Sequence, residues 1–265
     1  MKIIDLKGGL GNQMFQYAYG RKLELTGKKV AFNVSFFNGH RPSRDTARDF
    51  KLNNFKIETK AEFLNKTNYF INLLNKVLIR FYLKKNDYWQ GEKYFKNIEA
   101  NIRKEFTLKN LLTSESTKWQ EKIRQTKNSV SLHIRRGDYV QDAKTNAFHG
   151  TCNLEYYKNA LQKIVDKIGN TEIEIFIFSD DIEWAKENLK FPYPTNFVSN
   201  SQILDYEEMY LMSLCQHNII ANSTFSWWGA WLNKNSAKIV IAPKQWSVKK
   251  SSDGLNILPK EWLQI

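Results

Sequence analysis

The 265-residue sequence predicts an α/β protein built on parallel sheets. Three observations carry this expectation. From residue 128 onward, short apolar runs alternate with amphipathic helical patterns. The first 35 residues read as strand, glycine loop, helix and strand. Two adjacent arginines, Arg135 and Arg136, emerge where the apolar run Ser129–Leu132 has ended. Residues at the carboxyl ends of strands in such sheets face the ligand crevice.

In order, Lys2 to Leu6 is a short apolar strand and Lys7-Gly8-Gly9-Leu10-Gly11 a glycine loop. A helix from about Asn12 to Thr26 follows, with Met14, Phe15, Tyr17, Ala18 and Leu25 inward and Gly27 as its stop. Lys29 to Val34 resumes as strand. The loop is not the dinucleotide fingerprint, which would require glycine at Met14. Residues 36–127 are mostly helical by propensity, without landmarks that place elements. Beyond them come strand Val130–Ile134, helix Leu154–Ile168, strand Ile173–Phe178, helix Ile182–Leu189 and a short strand Asn196–Val198. Helix Tyr206–Cys215, strand Asn218–Ala221, helix Phe225–Leu232 and strand Lys238–Ile241 complete the pattern. A boundary near residue 127 is expected, giving domains 1–127 and 128–265 with the cleft between them as the natural site.

Hydrophobic residues make up 42% of the chain, yet no run approaches 18 uncharged apolar residues. Met1 to Asp5 enters a strand directly, without a signal-peptide pattern, so an intracellular protein is expected. Cys152 and Cys215 lack Cys-x-x-Cys spacing, which points to reduced, packing cysteines. The net charge of +13 is lopsided: residues 1–127 hold 26 Lys and Arg against 12 Asp and Glu, and residues 128–265 hold 14 against 15. Within the basic half, Tyr69 to Lys85 is apolar on one helical face with basic residues after it. That pattern suits a helix lying on an anionic membrane, and equally a core helix with solvated lysines. Nucleic-acid binding is disfavoured, because the residues with site chemistry sit in the neutral half and no recognised binding motif is present.

Three blocks follow strands of the second half and therefore converge on one crevice. The first is His133-Ile134-Arg135-Arg136-Gly137-Asp138-Tyr139, whose guanidinium forks suit a phosphate or, alternatively, an ion pair with Asp138. The second is Ser179-Asp180-Asp181, fit to hold ribose hydroxyls or a neighbouring arginine, or simply to cap a helix. Neither Asp-x-Asp spacing nor an accompanying His or Cys supports a metal, so none is expected. The third is Asn222-Ser223-Thr224-Phe225-Ser226-Trp227-Trp228, a helix start offering N–H groups and hydroxyls to an anion, or again a cap. Trp227, Trp228 and Trp231 are core material or a sugar-stacking surface. Upstream, the Glu207-Glu208 pair offers a carboxylate that can accept from guanine N1–H and its 2-amino group, a pair of donors adenine lacks. The sum is a nucleoside-diphosphate pocket in which arginine charge, rather than Mg²⁺, stabilises the leaving diphosphate.

These blocks, together with Gly8-Gly9-Leu10-Gly11-Asn12-Gln13-Met14-Phe15-Gln16-Tyr17-Ala18, closely resemble glycosyltransferase family 11, the α-1,2-fucosyltransferases, in order over nearly the full chain. The resemblance implies a GT-B architecture of two Rossmann-like halves facing a central cleft. It also implies GDP-L-fucose as donor, inversion at the fucose anomeric carbon, no metal, and a terminal galactoside of a bacterial surface glycan as acceptor. By the same resemblance Arg135 binds the β-phosphate, His133 lies at the guanine side, Glu208 takes the place of the guanine-binding carboxylate, and Ser223 and Thr224 hold phosphate oxygens. Arg136, Asp180, Asp181 and Phe225 complete the donor set, and Asn12 reaches across the cleft toward the reacting centre. Asp138 is the first candidate for general base, although an adjacent arginine would lower its pKa; Asp142 and His149 are alternatives. A base is dispensable if fucose departs early as an oxocarbenium-like ion. The basic first half suggests an anionic or membrane-associated acceptor, such as a lipid-linked oligosaccharide, and a cytoplasmic enzyme peripheral at the inner face of the membrane.

Overall fold

A computed structural model describes residues 1–39, 47–65, 88–137, 150–169, 172–248, 250–251 and 256–265. The expected basic helix over Tyr69–Lys85 lies outside the described residues. Contacts divide the chain into two units, Met1–Lys109 and Asn110–Ile265.

The first unit carries a parallel sheet of β1 (Lys2–Asp5), β2 (Val30–Asn33) and β3 (Glu62–Leu64) in that order. Helix α1 (Leu10–Leu25) connects β1 to β2. It begins inside the glycine loop, two residues before the expected start, because the Gly9 carbonyl accepts from the amides of Asn12 and Gln13. Two buried glutamines fasten this helix to irregular chain. Gln16 Oε1 accepts from the Lys7 amide at 2.8 Å. The Gln13 side chain donates to the carbonyls of Gly8 (3.0 Å) and Asp49 (2.8 Å) and accepts from the Lys51 amide (3.0 Å). At the other end, helix α2 (Glu99–Glu105) supplies Glu105, which accepts from the Tyr17 hydroxyl and pairs with Arg21 Nε at 2.8 Å. A fully buried carboxylate requires such partners.

The second unit contains helix α3 (Ser114–Gln125), strand β4 (Ser129–Ile134), helix α4 (Leu154–Ile168), strand β5 (Glu174–Ser179), helix α5 (Ile182–Asn188) and strand β6 (Thr195–Phe197). Helix α6 (Asp205–Leu214), strand β7 (His217–Ile219), helix α7 (Thr224–Leu232) and strand β8 (Val240–Ala242) follow. The chain ends with the antiparallel pair β9 (Gln245–Ser247) and β10 (Lys250–Ser251), then β11 (Leu263–Gln264). Six strands form one parallel sheet in the order β11-β8-β7-β4-β5-β6. β4 is buried at every position, as expected for a strand covered on both faces. Val130, Leu132, Ile134, Ile175 and Ile177 face Tyr157, Ala160, Leu161 and Ile164 of α4. The alternate residues point the other way, where Phe176 meets Trp119 of α3 edge-on.

The units divide at 109/110, ahead of the expected break after residue 127, because α3 belongs with the second sheet. Glu207 of α6 accepts from the Thr113 amide (2.8 Å), the Thr113 hydroxyl (2.9 Å) and the Ser116 hydroxyl (2.7 Å), tying the start of α3 to α6. Among the described residues no helix is long and apolar enough to cross a membrane.

Candidate active site

Counted along the chain, the sheet of the second unit is a 3-2-1-4-5-6 order, with β4 as strand one and β7 as strand four. Its switch point lies between them, and ligands in such sheets bind outside the carboxyl ends of the strands at that point. β4 leads into Arg135 and Arg136, and β7 leads on to Asn222, Ser223 and Thr224. A buried amide network holds the two strands in register. Asn218 donates to the Ser131 hydroxyl (2.7 Å) and the Met212 carbonyl (2.9 Å), while Asn233 donates to Asn218 Oδ1 (2.8 Å). His217 accepts from the Ile239 amide at 3.0 Å, a structural role.

The arginines are met by Asp180 and Asp181 at the end of β5, the neighbouring strand. Arg135 Nη1 lies 2.9 Å from Asp180 Oδ2. The Arg136 amide donates to Asp180 Oδ1 at 2.9 Å, and Arg136 Nε lies 3.2 Å from Asp181 Oδ2. Arg136 also stacks over the Trp184 ring, 3.7 Å from its centroid. The acidic pair thus holds both arginines, and the cap of α5 falls on Asp181, which accepts from the Trp184 amide at 3.3 Å. Gly137 makes the approach feasible, since a β-carbon there would lie 2.5 Å from Asp180 Oδ2. Trp184 and Gly137 were not singled out from sequence; the glycine directly after two arginines was the available signal.

Glu208, early in α6, stands beside this cluster. Burial pushes its carboxyl up to about 8; Asp205 and Asp180 push the same way, and a hydrogen bond with Ser199 opposes them. Its neighbour Glu207 is committed to the start of α3, whereas Glu208 lies on the side of the arginine cluster. His133 is buried and held neutral, with its pKa lowered to about 3 by burial and secondarily by the Arg135 charge. Its ring packs against Phe225, 5.6 Å between centroids, and among the described residues its Nδ1 has no hydrogen-bond partner.

On the β7 side, Ser223 caps α7 by accepting from the Phe225 amide at 3.3 Å. Asn222 donates to the carbonyls of Gly150 (3.2 Å) and Trp246 (3.3 Å), which fixes the loop into α7. Thr224 occupies the first turn of that helix. Trp227, Trp228 and Trp231 are core residues, with Trp227 Nε1 donating to the Ile257 carbonyl at 3.0 Å, so they form no sugar-stacking surface. The second unit thus assembles His133, Arg135, Arg136, Asp180, Asp181, Glu208, Ser223, Thr224 and Phe225 around one end of its sheet. Asn12 lies in the first unit, on α1, and accepts from Gln90 Nε2 at 2.9 Å. Asp138, Asp142 and His149 lie outside the described residues. Among the described residues no group of three or more His, Cys, Asp or Glu side chains forms a metal cluster.

Residues 1–265 match the sequence profile of Glycosyl transferase family 11. The chain belongs to that family. This family-11 chain is 34% identical over 301 residues to an Escherichia coli protein named alpha-1,2-colitosyltransferase, covering 99% of this chain and 98% of the relative. It is 32% identical over 305 residues to the E. coli O-antigen biosynthesis glycosyltransferase WbnK, covering 98% and 99%. Human galactoside alpha-(1,2)-fucosyltransferase 1 is 24% identical over 250 residues, covering 85% of this chain and 63% of the human protein.

Proposed function

We propose that this family-11 glycosyltransferase moves L-fucose from GDP-fucose to the 2-hydroxyl of a terminal galactoside, with inversion, in the synthesis of a bacterial surface glycan. The observation that carries this reading is the Arg135–Asp180 pair at the switch point, with Glu208 on one side and the Ser223–Thr224 helix start on the other. Arg135 stabilises charge on the departing β-phosphate while the bond from fucose C1 to the phosphate oxygen breaks. The acceptor oxygen attacks C1 from the opposite face and gives up its proton, with Asp138 the first candidate to receive it. Asp180 aligns the guanidinium and yields to the diphosphate when the donor enters. Glu208 accepts from guanine, and charge neutralisation by arginine makes a metal unnecessary.

The acceptor linkage is supported by two relatives whose names specify α-1,2 transfer. Their names differ in the sugar, since colitose is fucose without its 3-hydroxyl. The deciding experiment presents GDP-fucose and GDP-colitose, with and without EDTA, to a panel of β-galactosides and determines the product linkage by NMR. An α-1,2-fucosyl product formed in EDTA is expected. Preference for GDP-colitose would reassign the donor, and transfer that requires Mg²⁺ would overturn the charge argument. An anionic or membrane-associated acceptor, such as a lipid-linked oligosaccharide, and peripheral membrane contact belong to the same proposal, tested by charge reversal of Lys76, Arg80, Lys84 and Lys85 with liposome association and activity on a lipid-linked acceptor as readouts.

A further inference from the structure

Among the described residues, Trp89 and Asn256 are the two non-glycine residues with positive φ. Asparagine tolerates this conformation, whereas a bulky side chain at φ 48° bears a backbone cost. The Trp89 ring stacks on Tyr19 of α1, with centroids 4.4 Å apart and planes within 11°. Tyr94 meets Tyr19 edge-on at 6.1 Å. Trp89 remains half-buried, so the strained backbone does not serve to bury the ring completely. Residues on both sides pin the segment to the glycine loop. The Lys7 ammonium lies 5.1 Å over the Tyr88 ring, and Gln90 Nε2 donates to Asn12 Oδ1 at 2.9 Å. The backbone at Gly8 crowds the same asparagine, because a β-carbon there would lie 2.9 Å from Asn12 Nδ2. Asn12 is thus held from two directions, its oxygen by Gln90 and its nitrogen on the side of Gly8.

We propose that Trp89, backed by Tyr19, is the platform on which the acceptor sugar ring rests, with the Asn12 and Gln90 amides at its rim. A pyranose needs this combination: an aromatic plane for the C–H groups of one face and amide groups for the hydroxyls around its edge. A galactose ring fits well, since its axial 4-hydroxyl gathers the hydrogens of C3, C4 and C5 on one face. Strain held at a ring that is only half-buried is what presentation of a surface, rather than core packing, requires. The inference rests on the reading of the chain as a galactoside-directed transferase.

The test uses Trp89→Gly and Trp89→Phe in the full chain. Glycine accepts φ 48° without cost, so the first variant removes the ring while relaxing the backbone; the second keeps a smaller ring. Saturation-transfer NMR with lactose, in the absence of donor, reads contact directly. Wild type is expected to saturate galactose H3, H4 and H5, and Trp89→Gly to lose that signal. In transfer assays with lactose, Trp89→Gly is expected to raise the acceptor KM at least tenfold, with GDP affinity by calorimetry unchanged and Trp89→Phe intermediate. The proposal is overturned if wild type shows no lactose contact, if Trp89→Gly leaves acceptor contact and KM within twofold of wild type, or if GDP affinity falls in parallel. Lactose contact that depends on Trp89, in a protein that transfers neither fucose nor colitose, would uphold the platform while refuting the proposed activity.

Discussion

Gly137 and Asp180 approach so closely that a β-carbon on the glycine would lie 2.5 Å from Asp180 Oδ2. That oxygen takes Arg135 Nη1 at 2.9 Å, and the other carboxylate oxygen takes the Arg136 amide at the same distance. A methyl group at 137 would therefore act on the arginine through the aspartate. Gly137→Ala is expected to weaken GDP binding about tenfold or more while the melting temperature changes little. Unaltered GDP affinity by calorimetry would show that Asp180 does not set the guanidinium position.

The two arginines should separate experimentally. Arg135→Ala is expected to lower the transfer rate about 10²–10³-fold, the range for loss of one group that stabilises charge in the transition state, with the fold intact. Arg136 is held by Asp181 and by the Trp184 ring, so Arg136→Ala should mainly cost stability, on the order of 1 kcal/mol. Kinetics and thermal melts on both variants check this, and a reversed ranking in rate would exchange their roles.

Glu208 gives a pH dependence with a defined sign. Its native pKa of about 8 lies above the ordinary 4.5, so the folded protein keeps a proton that the unfolded chain has lost. The contribution to stability is complete below pH 4.5 and disappears as pH rises through 8. Glu208→Gln should therefore melt higher than wild type at pH 9 and similarly at pH 4.5. Guanine donors favour the carboxylate, so GDP binding near neutrality should release a proton and tighten toward pH 8. Calorimetry in buffers of different ionisation enthalpy measures that release.

His133 has the opposite sign. Its pKa falls from 6.5 to about 3, chiefly through burial, so acidification protonates the unfolded chain first. Stability attributable to this group should decline between pH 6.5 and 3. His133→Asn should flatten the decline, as urea melts across that window would reveal.

In the first unit, a β-carbon on Gly20 would lie 2.4 Å from Phe32 Cε1, where α1 crosses β2. Gly20→Ala is expected to cost about 1–3 kcal/mol through overpacking, despite the better helix propensity of alanine. A gain in melting temperature would show that the contact relaxes freely.

Sequence revealed those parts of the fold whose burial has a period. Helix Leu154–Ile168 carries Tyr157, Ala160, Leu161 and Ile164 on one face between Asn153 and Gly169, and both its ends were legible. β4 and β5 were legible as continuous apolar runs. β3 and β11, of three and two residues, are too short to display any period. The place of α3 depends on Glu207, which follows it by about ninety residues and is indistinguishable in sequence from Glu208. The paired arginines were legible as candidate site residues because they follow a strand. Their aspartate partners remained ambiguous, because one residue can cap a helix and hold an arginine at once. The left-handed backbone of Trp89 left no trace in composition at all.

The sheet order also governs when the site can come into existence. β4 pairs with β5 through the intervening α4, a local step, but it pairs with β7 through residues such as Ser131 and Asn218, 87 positions apart. Closing so long a loop carries an entropic barrier that local pairing does not, and topologies rich in distant contacts fold slowly. Arg135 can meet Asp180 early, while His133 meets Phe225 only after the distant strand has docked. Nascent chains would thus pass through a stage in which half of the pocket is formed and the unpaired edge of β4 is open to other strands.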